Sequence, residues 1–176
     1  DDWVIRNGVD SVALQDGWAT VPETIVRLLK DPQSIANVSD AGAHGKMFCG
    51  AGDCVSLLTD YVRDGKHLTI EEGVRALTGK QAEFFGLNDR GTIELGKAAD
   101  IVVFNLDEIA RRDEVKIWDI PDGEGGRTYR YIRPAAPMRL TMVAGVPTFD
   151  NGEFTGKFPG AFIGPVPEMA QAMAVE

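Results

Sequence analysis

Two residues in the segment 39–44, which reads Ser-Asp-Ala-Gly-Ala-His, have side chains that could take part in catalysis. Asp40 follows a short apolar stretch at 35–38, and a buried strand there would present the carboxylate at an active site. His44 lies four residues further along the chain. A carboxylate can bind a metal ion or accept a proton, and an imidazole can bind a substrate carboxylate or orient a catalytic group. The segment 39–44 is therefore the candidate catalytic segment.

Both candidates also have a structural interpretation. An Asp after a strand often caps the next turn through its side-chain oxygen, and this is the commoner reason for Asp at such a position. His44 could bind substrate, orient Asp40, or only stabilise the loop. The residues by themselves leave these alternatives open.

Histidines are too few for a multi-histidine metal site built by this chain alone. His44 and His67 are its two histidines, and His67 belongs to no motif, so we predict that it lies on the surface in a turn. Cys49 and Cys54 have no second pair, which fits neither a zinc ribbon nor a disulfide scaffold. We therefore predict reduced thiols. The alternative for Cys49 is a place in the lining of a substrate pocket.

The elements around the candidate segment follow the pattern of an α/β unit. Apolar residues at helical spacing predict a helix over 22–30, and Pro22 suits its first turn. Asp31-Pro32 ends this helix, because a residue before proline avoids helical backbone angles. A short buried strand over 35–38 is predicted next, with a polar loop after it.

Three more helices are predicted between the glycine-rich loop 42–53 and residue 86. The first starts near Val55 and ends at Gly65. In the second, Thr69 and Glu72 have the spacing of a capping box. Its apolar stripe is Ile70, Val74 and Leu77, its stop is Gly79, and the third helix covers 80–85 and ends at Gly86.

From Gly91 onward the sequence is typical of short strands. An Ile-Val-Val-Phe run predicts a strand within 99–104, and two further strands at 140–144 and 146–149 flank Gly145. The sequence Asp-Asn-Gly at 150–152 predicts a tight turn into a last strand. The glycine-rich and proline-rich stretch 121–126 predicts a loop, and the tail from residue 157 includes a short helical stretch at 168–174.

Composition and charge limit the function. With 176 residues, 44% hydrophobic and 26% charged, the chain has the composition of a globular protein, and no apolar run is long enough to span a bilayer. The N-terminus shows no secretory signal, so we expect a cytoplasmic protein without a membrane partner. A net charge of −9 with no concentrated basic patch would repel phosphate backbones, which argues against nucleic acid as a partner. The oligomeric state stays open, a homo-oligomer included.

Four stretches of this sequence resemble the metal-dependent amidohydrolases, and within them the N-acyl-D-amino-acid deacylase (D-aminoacylase) type, also called amidohydrolase family 3. The resemblance extends over residues 20 to 163. The stretch 90–104 is shared by amidohydrolases in general, whereas the first and last stretches are typical of the deacylase branch. The four stretches are 39–44, 77–79 with 85–87, 90–104, and 151–156.

The resemblance implies an α/β fold, the last part of a (β/α)₈ TIM-like barrel followed by a small β-sandwich-type region. We assign residues 1–90 to the barrel part, 91–160 to the small β-rich domain and 161–176 to a C-terminal tail. A complete barrel needs about 250 residues. The chain is therefore expected to be a C-terminal fragment whose partner is the missing N-terminal part of the same protein.

The resemblance also implies a role for Asp40. It would stand at the end of the eighth barrel strand, as a metal ligand and as the general base that takes a proton from metal-bound water and returns it to the leaving amine. Zinc is the expected metal, with one or two ions in the complete enzyme. Asp100 belongs to the β-sandwich joint in the family and is expected to be structural.

The family pattern is incomplete in this chain. The His-x-His pair, the Lys or Cys that supports the metals and two further His ligands precede this region in relatives. Asp40 with His44 falls short of the three protein ligands that a catalytic zinc usually has. We therefore expect the fragment alone to be inactive and not to retain zinc.

The predicted function is hydrolysis of C–N amide bonds by the complete enzyme, with N-acyl-D-amino acids as small-molecule substrates. A first alternative is a cyclic-amide hydrolase of the hydantoinase or dihydroorotase kind. A second is a non-catalytic binding or assembly module, which predicts a self-sufficient, monodisperse fold. A fragment instead exposes surface that its missing strands should cover, and predicts aggregation, self-association or dependence on a partner.

Overall fold

The computed structural model describes residues 21–36 and 45–164 of the chain. Within this part every helix precedes residue 86 and every strand follows residue 100. Among the described helices, none has the length and apolar composition needed to cross a bilayer. The predicted short helical stretch at 168–174 lies outside the described residues.

The first helices have the predicted limits but a different geometry in one place. Helix α1 spans Pro22–Lys30, with proline in its first turn as predicted. The next predicted helix is divided into α2 (Asp53–Ser56) and a π-helix (Leu57–Asp64). The π-helix ends at Gly65, whose N–H donates to the carbonyl of Asp60, five residues back, at 2.9 Å. The predicted end at Gly65 is confirmed.

Helix α3 (Ile70–Leu77) begins with the predicted capping box. The N–H of Thr69 donates to Glu72 Oε2 at 2.9 Å, and the N–H of Glu72 donates to Thr69 Oγ1 at 3.2 Å. These two bonds satisfy donors that the first helical turn would otherwise leave without a partner.

The predicted apolar stripe of α3 is confirmed at two of its three positions, because Val74 and Leu77 are partly buried and pack against the hydrophobic core. The buried residues of α3 are Gly73 and Ala76, while Ile70 is exposed. A Cβ atom at Gly73 would lie 2.7 Å from Val62 Cγ2, so α3 packs against the π-helix through its small residues. Close packing through these small residues therefore adds to the contacts of Val74 and Leu77.

The prediction that Gly79 ends a helix is also wrong, because it is the first residue of α4 (Gly79–Phe85). The interruption lies at Thr78, whose backbone angles (φ −130°, ψ −85°) are not helical. Gly86 ends α4 with a positive φ of 68°, as the sequence predicted, because glycine adopts this conformation without steric cost.

The hydrophobic core joins the helices to the chain that follows the first strand. Its buried residues are Leu58, Val62, Leu68 and Ile109. Ile109 has no exposed surface and is the largest fully buried side chain in the described part. Because this core includes residues on both sides of residue 91, the division into domains at 90 and 160 stays a prediction.

Four short strands form one antiparallel sheet, in which they are arranged in the same order as along the chain. Both of its tight turns place two successive residues at positive φ, at Ala144-Gly145 and Asn151-Gly152, which is typical of two-residue hairpins. The strands and the turn predicted for this region are confirmed. The strands are β1 (Ile101–Val103), β4 (Leu140–Val143), β5 (Val146–Asp150) and β6 (Glu153–Phe154).

A second, two-stranded sheet consists of β2 (Val115–Pro121) and β3 (Arg127–Ile132). It forms a hairpin that the sequence did not predict. The predicted loop at 121–126 is its tip, except that Pro121 still belongs to β2. In the tip, Asp122 Oδ1 accepts hydrogen bonds from the N–H groups of Glu124 and Gly126, both at 2.9 Å.

The structure therefore has a mixed α/β architecture with two small sheets. The barrel, of which this chain would supply the last part, stays a prediction. Of the strand predicted at 35–38, Ile35 and Ala36 are described and lie in no strand, and the other two residues lie outside the described part.

Candidate functional site

Asp40 and His44 both lie in the segment 37–44, outside the described residues. Their roles as base, metal ligand and substrate contact therefore stay predictions. The structure does describe how the chain is held immediately before and after this segment. Both flanks are attached to parts of the protein that are far away in sequence.

The flank before the segment is held by α4. Ala36 is buried, and its carbonyl accepts a hydrogen bond from Gln81 Nε2, which also donates to the carbonyl of Ala76 at 3.2 Å. Lys80 Nζ donates to the carbonyl of Leu29 at 2.8 Å and to that of Asp31. Two neighbouring side chains of α4 thus fix the end of α1 and the approach to Asp40.

The flank after the segment is held by the β2–β3 hairpin. The N–H of Tyr131 donates to the carbonyl of Gly45 at 2.7 Å, and Gly45 directly follows His44. A Cβ atom at Gly45 would lie 3.8 Å from the Cβ of Arg130. Strand β3 therefore runs alongside Gly45, the residue that directly follows the candidate segment.

The buried side chain of Arg133 holds the next part of the chain, residues 49–51, through hydrogen bonds. Its side chain is only 4% exposed. Nε donates to the carbonyl of Ala51 at 2.7 Å, Nη2 donates to that of Cys49 at 2.9 Å, and Nη1 donates to that of Arg112. A buried guanidinium needs such partners, because an unsatisfied one would cost several kcal/mol.

Glu114 completes this attachment. Its Oε2 accepts a hydrogen bond from the N–H of Cys49 at 2.6 Å, and its Oε1 lies 3.8 Å from Arg133 Nη2. Arg133 and Glu114 thus hold both backbone polar groups of Cys49. Sequence reasoning missed both residues, because neither belongs to a motif and their partners are 65 and 84 residues away.

An aromatic and cationic cluster lies on the hairpin beside the same loop. Trp118 and Tyr131 both contact Tyr129 edge-to-face, with ring centroids 5.2 Å and 6.1 Å apart. The ammonium of Lys116 is 3.7 Å from the centre of the Tyr129 ring, and that of Lys46 is 5.7 Å from it. Lys46 is the second residue after His44, so the cluster adjoins the candidate segment.

The described residues do not fit a metal centre by themselves. In ranges 21–36 and 45–164, no three His, Cys, Asp or Glu side chains are grouped so that they could hold a metal ion. Cys49 and Cys54 form no disulfide in the part of the chain that the structure describes, which agrees with the predicted reduced thiols. His67 is exposed, as predicted, and its backbone N–H donates to the carbonyl of Tyr61 at 2.8 Å.

Asp100 has contacts that agree with the structural role expected for it. Its Oδ2 accepts a hydrogen bond from Arg90 Nη1 at 2.7 Å, and its Oδ1 accepts one from the N–H of Ala144 at 2.8 Å. Arg90 also donates to Asp89 at 2.8 Å, and this bond lowers the pKa of the Asp89 carboxyl. Asp100 therefore joins the turn between β4 and β5 to the chain before β1.

Comparison with known proteins identifies the family. The model of the amidohydrolase family matches residues 5–149, which is most of the chain and includes the candidate segment, both flanks and the hairpin. The chain belongs to the amidohydrolase family. The resemblance to the D-aminoacylase type, inferred from four short stretches, is thereby confirmed.

Three relatives illustrate the similarity. An N-acyl-D-glutamate deacylase of Alcaligenes xylosoxydans xylosoxydans is 37% identical over 83 residues, 47% of this chain and 16% of the relative. An uncharacterized protein of Mycobacterium tuberculosis (strain H37Rv) is 30% identical over 166 residues, 89% of this chain and 26% of the relative. A dihydroorotase of Lactobacillus acidophilus is 41% identical over 59 residues, 34% of this chain and 14% of the relative.

A solved structure of a D-aminoacylase, described as having a binuclear metal centre, is 28% identical to this chain. It covers 59% of this chain, with a TM-score of 0.43, and the matched part is 19% of that protein. Across all four comparisons the chain spans only 14 to 26% of the length of its relatives.

Proposed function

We propose that this chain forms the C-terminal part of a metal-dependent hydrolase of C–N amide bonds, with N-acyl-D-amino acids as substrates. The observation that carries the proposal is the family match over residues 5–149, which includes both the candidate segment and strands β1 to β4. The similarity to an N-acyl-D-glutamate deacylase supports the choice of substrate class.

Asp40 is the proposed general base. As a carboxylate it takes a proton from the attacking water and then donates that proton to the leaving nitrogen as the amide bond breaks. The structure supports the proposal through the flanks, because Gln81 holds the chain before Asp40 and Tyr131 holds the chain after His44. A base anchored on both sides can keep its distance to the reacting atoms.

Zinc is the metal we propose, in one or two ions, because it acts as a Lewis acid in amide hydrolysis when it is bound. A catalytic zinc usually has three protein ligands. Asp40 is the proposed ligand from this chain, and the described residues contain no group of three or more His, Cys, Asp or Glu side chains that could hold the metal by themselves. The remaining ligands are therefore expected from other parts of a longer protein.

Exposed apolar surface supports the proposal that a longer chain covers this one. Ile93 is 88% exposed, and Leu95 is as exposed as in an extended chain. Val102 and Val103 are also exposed on β1, which is an edge strand of the sheet formed by the described strands. Proteins usually cover such patches and edges.

Reading the coding DNA upstream of Asp1 tests the fragment proposal. A continuous open frame with a His-x-His pair near its start, and about 250 residues of barrel in all, is the expected result. A start codon immediately before Asp1 would favour the binding-module alternative. That alternative also predicts a monodisperse chain with one cooperative unfolding transition, whereas we expect self-association.

Replacement of Asp40 by Asn in the complete protein tests the catalytic assignment. Because Asn cannot accept the proton, hydrolysis of N-acetyl-D-amino acids should fall by about 100-fold or more. Asp113→Asn is the matched control, since that carboxylate is exposed, and it should keep full activity. Near-normal turnover of Asp40→Asn would remove Asp40 from the mechanism.

Hydrolysis of cyclic amides is the second candidate function. It is favoured by the 41% identity to a dihydroorotase over 59 residues. The same protein should then be assayed with dihydroorotate and hydantoins beside N-acetyl-D-amino acids. A preference for the cyclic substrates in kcat/KM would replace the first proposal, and a preference for the open-chain substrates would retain it.

A further inference from the structure

The turn between β5 and β6 places an amide side chain directly before a glycine. Asn151 and Gly152 form this two-residue turn, with φ angles of 47° and 83°. Asn151 is exposed, and a Cβ atom added at Gly152 would meet no other atom within 4 Å. Because glycine has no side chain, its backbone nitrogen is not crowded when it approaches the amide carbon of the residue before it. The turn therefore contains both reactants of a ring closure within its own backbone.

The closed turn keeps these two reactants apart. In the left-handed conformation of Asn151, the next nitrogen points away from the side chain, so the residue has to rotate about its Cα–C bond before a ring can form. Such a rotation requires the turn to open. Any reaction at Asn151 is therefore controlled by how easily β6 separates from β5.

Strand β6 is held by few interactions. It consists of Glu153 and Phe154, both exposed, and it lies at the edge of the sheet formed by the described strands. The Phe154 ring lies 5.3 Å from that of Phe149 on β5, and Asn151 Nδ2 donates to Asp150 Oδ1 at 2.8 Å. Exposed contacts of this kind contribute little, and short edge elements open at a low cost in free energy. Opening of the turn is thus a frequent event.

We propose that Asn151 is a site of spontaneous deamidation, and that the product keeps β6 detached from β5. In the open turn, the Gly152 nitrogen attacks the side-chain amide carbon of Asn151. A nitrogen–carbon bond forms, the bond to the amide nitrogen breaks, and that nitrogen leaves as ammonia with the proton from Gly152. Water then opens the five-membered ring at either carbonyl and gives aspartate or isoaspartate. The reaction needs no other co-reactant and does not depend on the proposed hydrolase activity.

Both products disfavour closure of the turn. Isoaspartate leads the backbone through the former side chain and adds a methylene group, so a two-residue turn no longer aligns Asp150 with Glu153, its partner in the closed hairpin. Either product also replaces the amide that donated to Asp150 by a carboxylate, and two neighbouring carboxylates repel each other. The modification therefore converts a reversible opening into a lasting one.

The first test follows the mass of each asparagine peptide while the complete protein is incubated near neutral pH. The peptide with Asn151 should gain one dalton and separate into two products. The product that does not elute with the same peptide from an Asn151→Asp variant is isoaspartate. Asn105 is the internal control, because it is also exposed but precedes Leu106, and its amide donates to Glu108 at 3.1 Å. Equal rates at Asn151 and Asn105 would overturn the proposal.

A comparison with the unfolded chain measures the opening step. Deamidation at Asn151 in the folded protein should be about 10-fold slower than in a free peptide of residues 149–154, because an edge turn opens at the low end of local stabilities. In urea the two rates should agree. The other Asn-Gly pair, at 7–8, lies outside the described residues and checks in urea that the assay detects this reaction. A folded rate more than about 100-fold below that of the peptide would show that the turn does not open, and would overturn the proposal.

Gly152→Ala tests the attacking atom. In urea the turn is open in both proteins, so the only difference that remains is the methyl group beside the nitrogen. Deamidation of the variant should be several-fold slower than that of the wild type. Equal rates in urea would show that ammonia is lost without attack by the Gly152 nitrogen, and would overturn the proposed step.

Hydrogen exchange tests the detachment of β6. The N–H of Thr155, directly after β6, donates to the carbonyl of Thr148 at 2.9 Å in the closed hairpin. After separation of the isoaspartate form of the complete protein, this N–H should lose its protection while the amides of α3 keep theirs. The unmodified fraction from the same incubation is the matched control. Equal protection of Thr155 in the two fractions would overturn the claim that the modification detaches β6.

Discussion

The helical region and the β2–β3 hairpin are ordered by different interactions. In the helical region, Leu58, Val62 and Leu68 are buried together with Ile109. Residues 115–132 of the hairpin contain no buried side chain. The hairpin depends instead on ring contacts, an exposed ion pair and hydrogen bonds to the loop after the candidate segment. One region supplies apolar burial, and the other supplies polar and aromatic surface beside the loop that follows the candidate segment.

The two regions are expected to contribute differently to the stability of the protein. Burial of apolar side chains contributes most of the free energy of folding, and small changes there are costly. Exposed charges and rings contribute little to stability. Stability therefore places little constraint on which residue types occur at these positions. We therefore expect substitutions in the helical core to lower the free energy of unfolding much more than substitutions in the hairpin.

The largest effect is expected from Ile109→Ala. Because this side chain is fully buried, its truncation should lower the free energy of unfolding by about 3 kcal/mol, measured by urea unfolding of the complete protein. Ile120→Ala, in the hairpin and 38% exposed, is the matched control and should cost about 1 kcal/mol or less. Equal losses would contradict the contrast between the two regions.

Arg133→Met should have the next largest effect. It leaves the carbonyls of Cys49, Ala51 and Arg112 without their donor, at a cost of about 2 kcal/mol in total. Hydrogen exchange in the complete protein should show lost protection at residues 49–52 and little change in α3. Arg112→Met, which removes an exposed arginine, should leave this protection intact. Unchanged exchange in Arg133→Met would show that the loop does not depend on Arg133.

Thr69→Ala removes one half of the capping box. Loss of an N-cap side chain should lower the free energy of unfolding by about 1 kcal/mol, seen as a lower thermal midpoint. Thr69→Ser keeps the hydroxyl and is the control that should retain the midpoint. If both variants behave alike, the hydroxyl contributes nothing to α3.

The same capping box predicts a dependence on pH. Lys30, at 2.8 Å, and the N–H of Thr69 hold the pKa of Glu72 below its ordinary value of 4.5. The stabilisation by the ionised carboxylate is therefore present above pH 4.5 and is lost as the pH falls through the lowered pKa of the folded state. Glu72→Gln should flatten this part of the acid unfolding curve, and an unchanged curve would contradict the assignment.

The smallest effect on stability is expected from Asp119→Asn in the hairpin. Hydrogen bonds from Arg130 lower the pKa of the Asp119 carboxyl, but both side chains are exposed. The unfolding midpoint at pH 7 should not change measurably, since exposed ion pairs contribute little. A clear loss of stability would show that the hairpin depends on this pair and would weaken the contrast with the helical core.

Some features were predictable because local rules decide them. The capping box at Thr69 and Glu72 and the helix end at Gly86 need only residues a few positions apart. The turn at Asn151-Gly152 likewise follows from the ease with which these residues adopt positive φ. The family could be recognised for a related reason, since its stretches are short and continuous.

Other features depend on contacts that no local pattern contains. Gly73 is buried because the π-helix crosses α3 at that point, which a stripe of large apolar residues could not reveal. The β2–β3 hairpin has mostly exposed side chains and so lacks the alternation that predicts a strand with one buried face. For the candidate site, the sequence predicted Asp40 and His44 but not the residues that hold their flanks.

By itself, the sequence determined the helix caps, the tight turns and membership of the amidohydrolase family, because each is encoded in residues adjacent along the chain. Only the tertiary structure decided that Gln81, Tyr131 and Arg133 hold the chain around the candidate segment, and that Lys46 and Lys116 meet at one tyrosine ring. The physical reason is distance. Hydrogen bonds and charge contacts act over a few ångströms, and the fold alone brings together residues that are 45 to 86 positions apart.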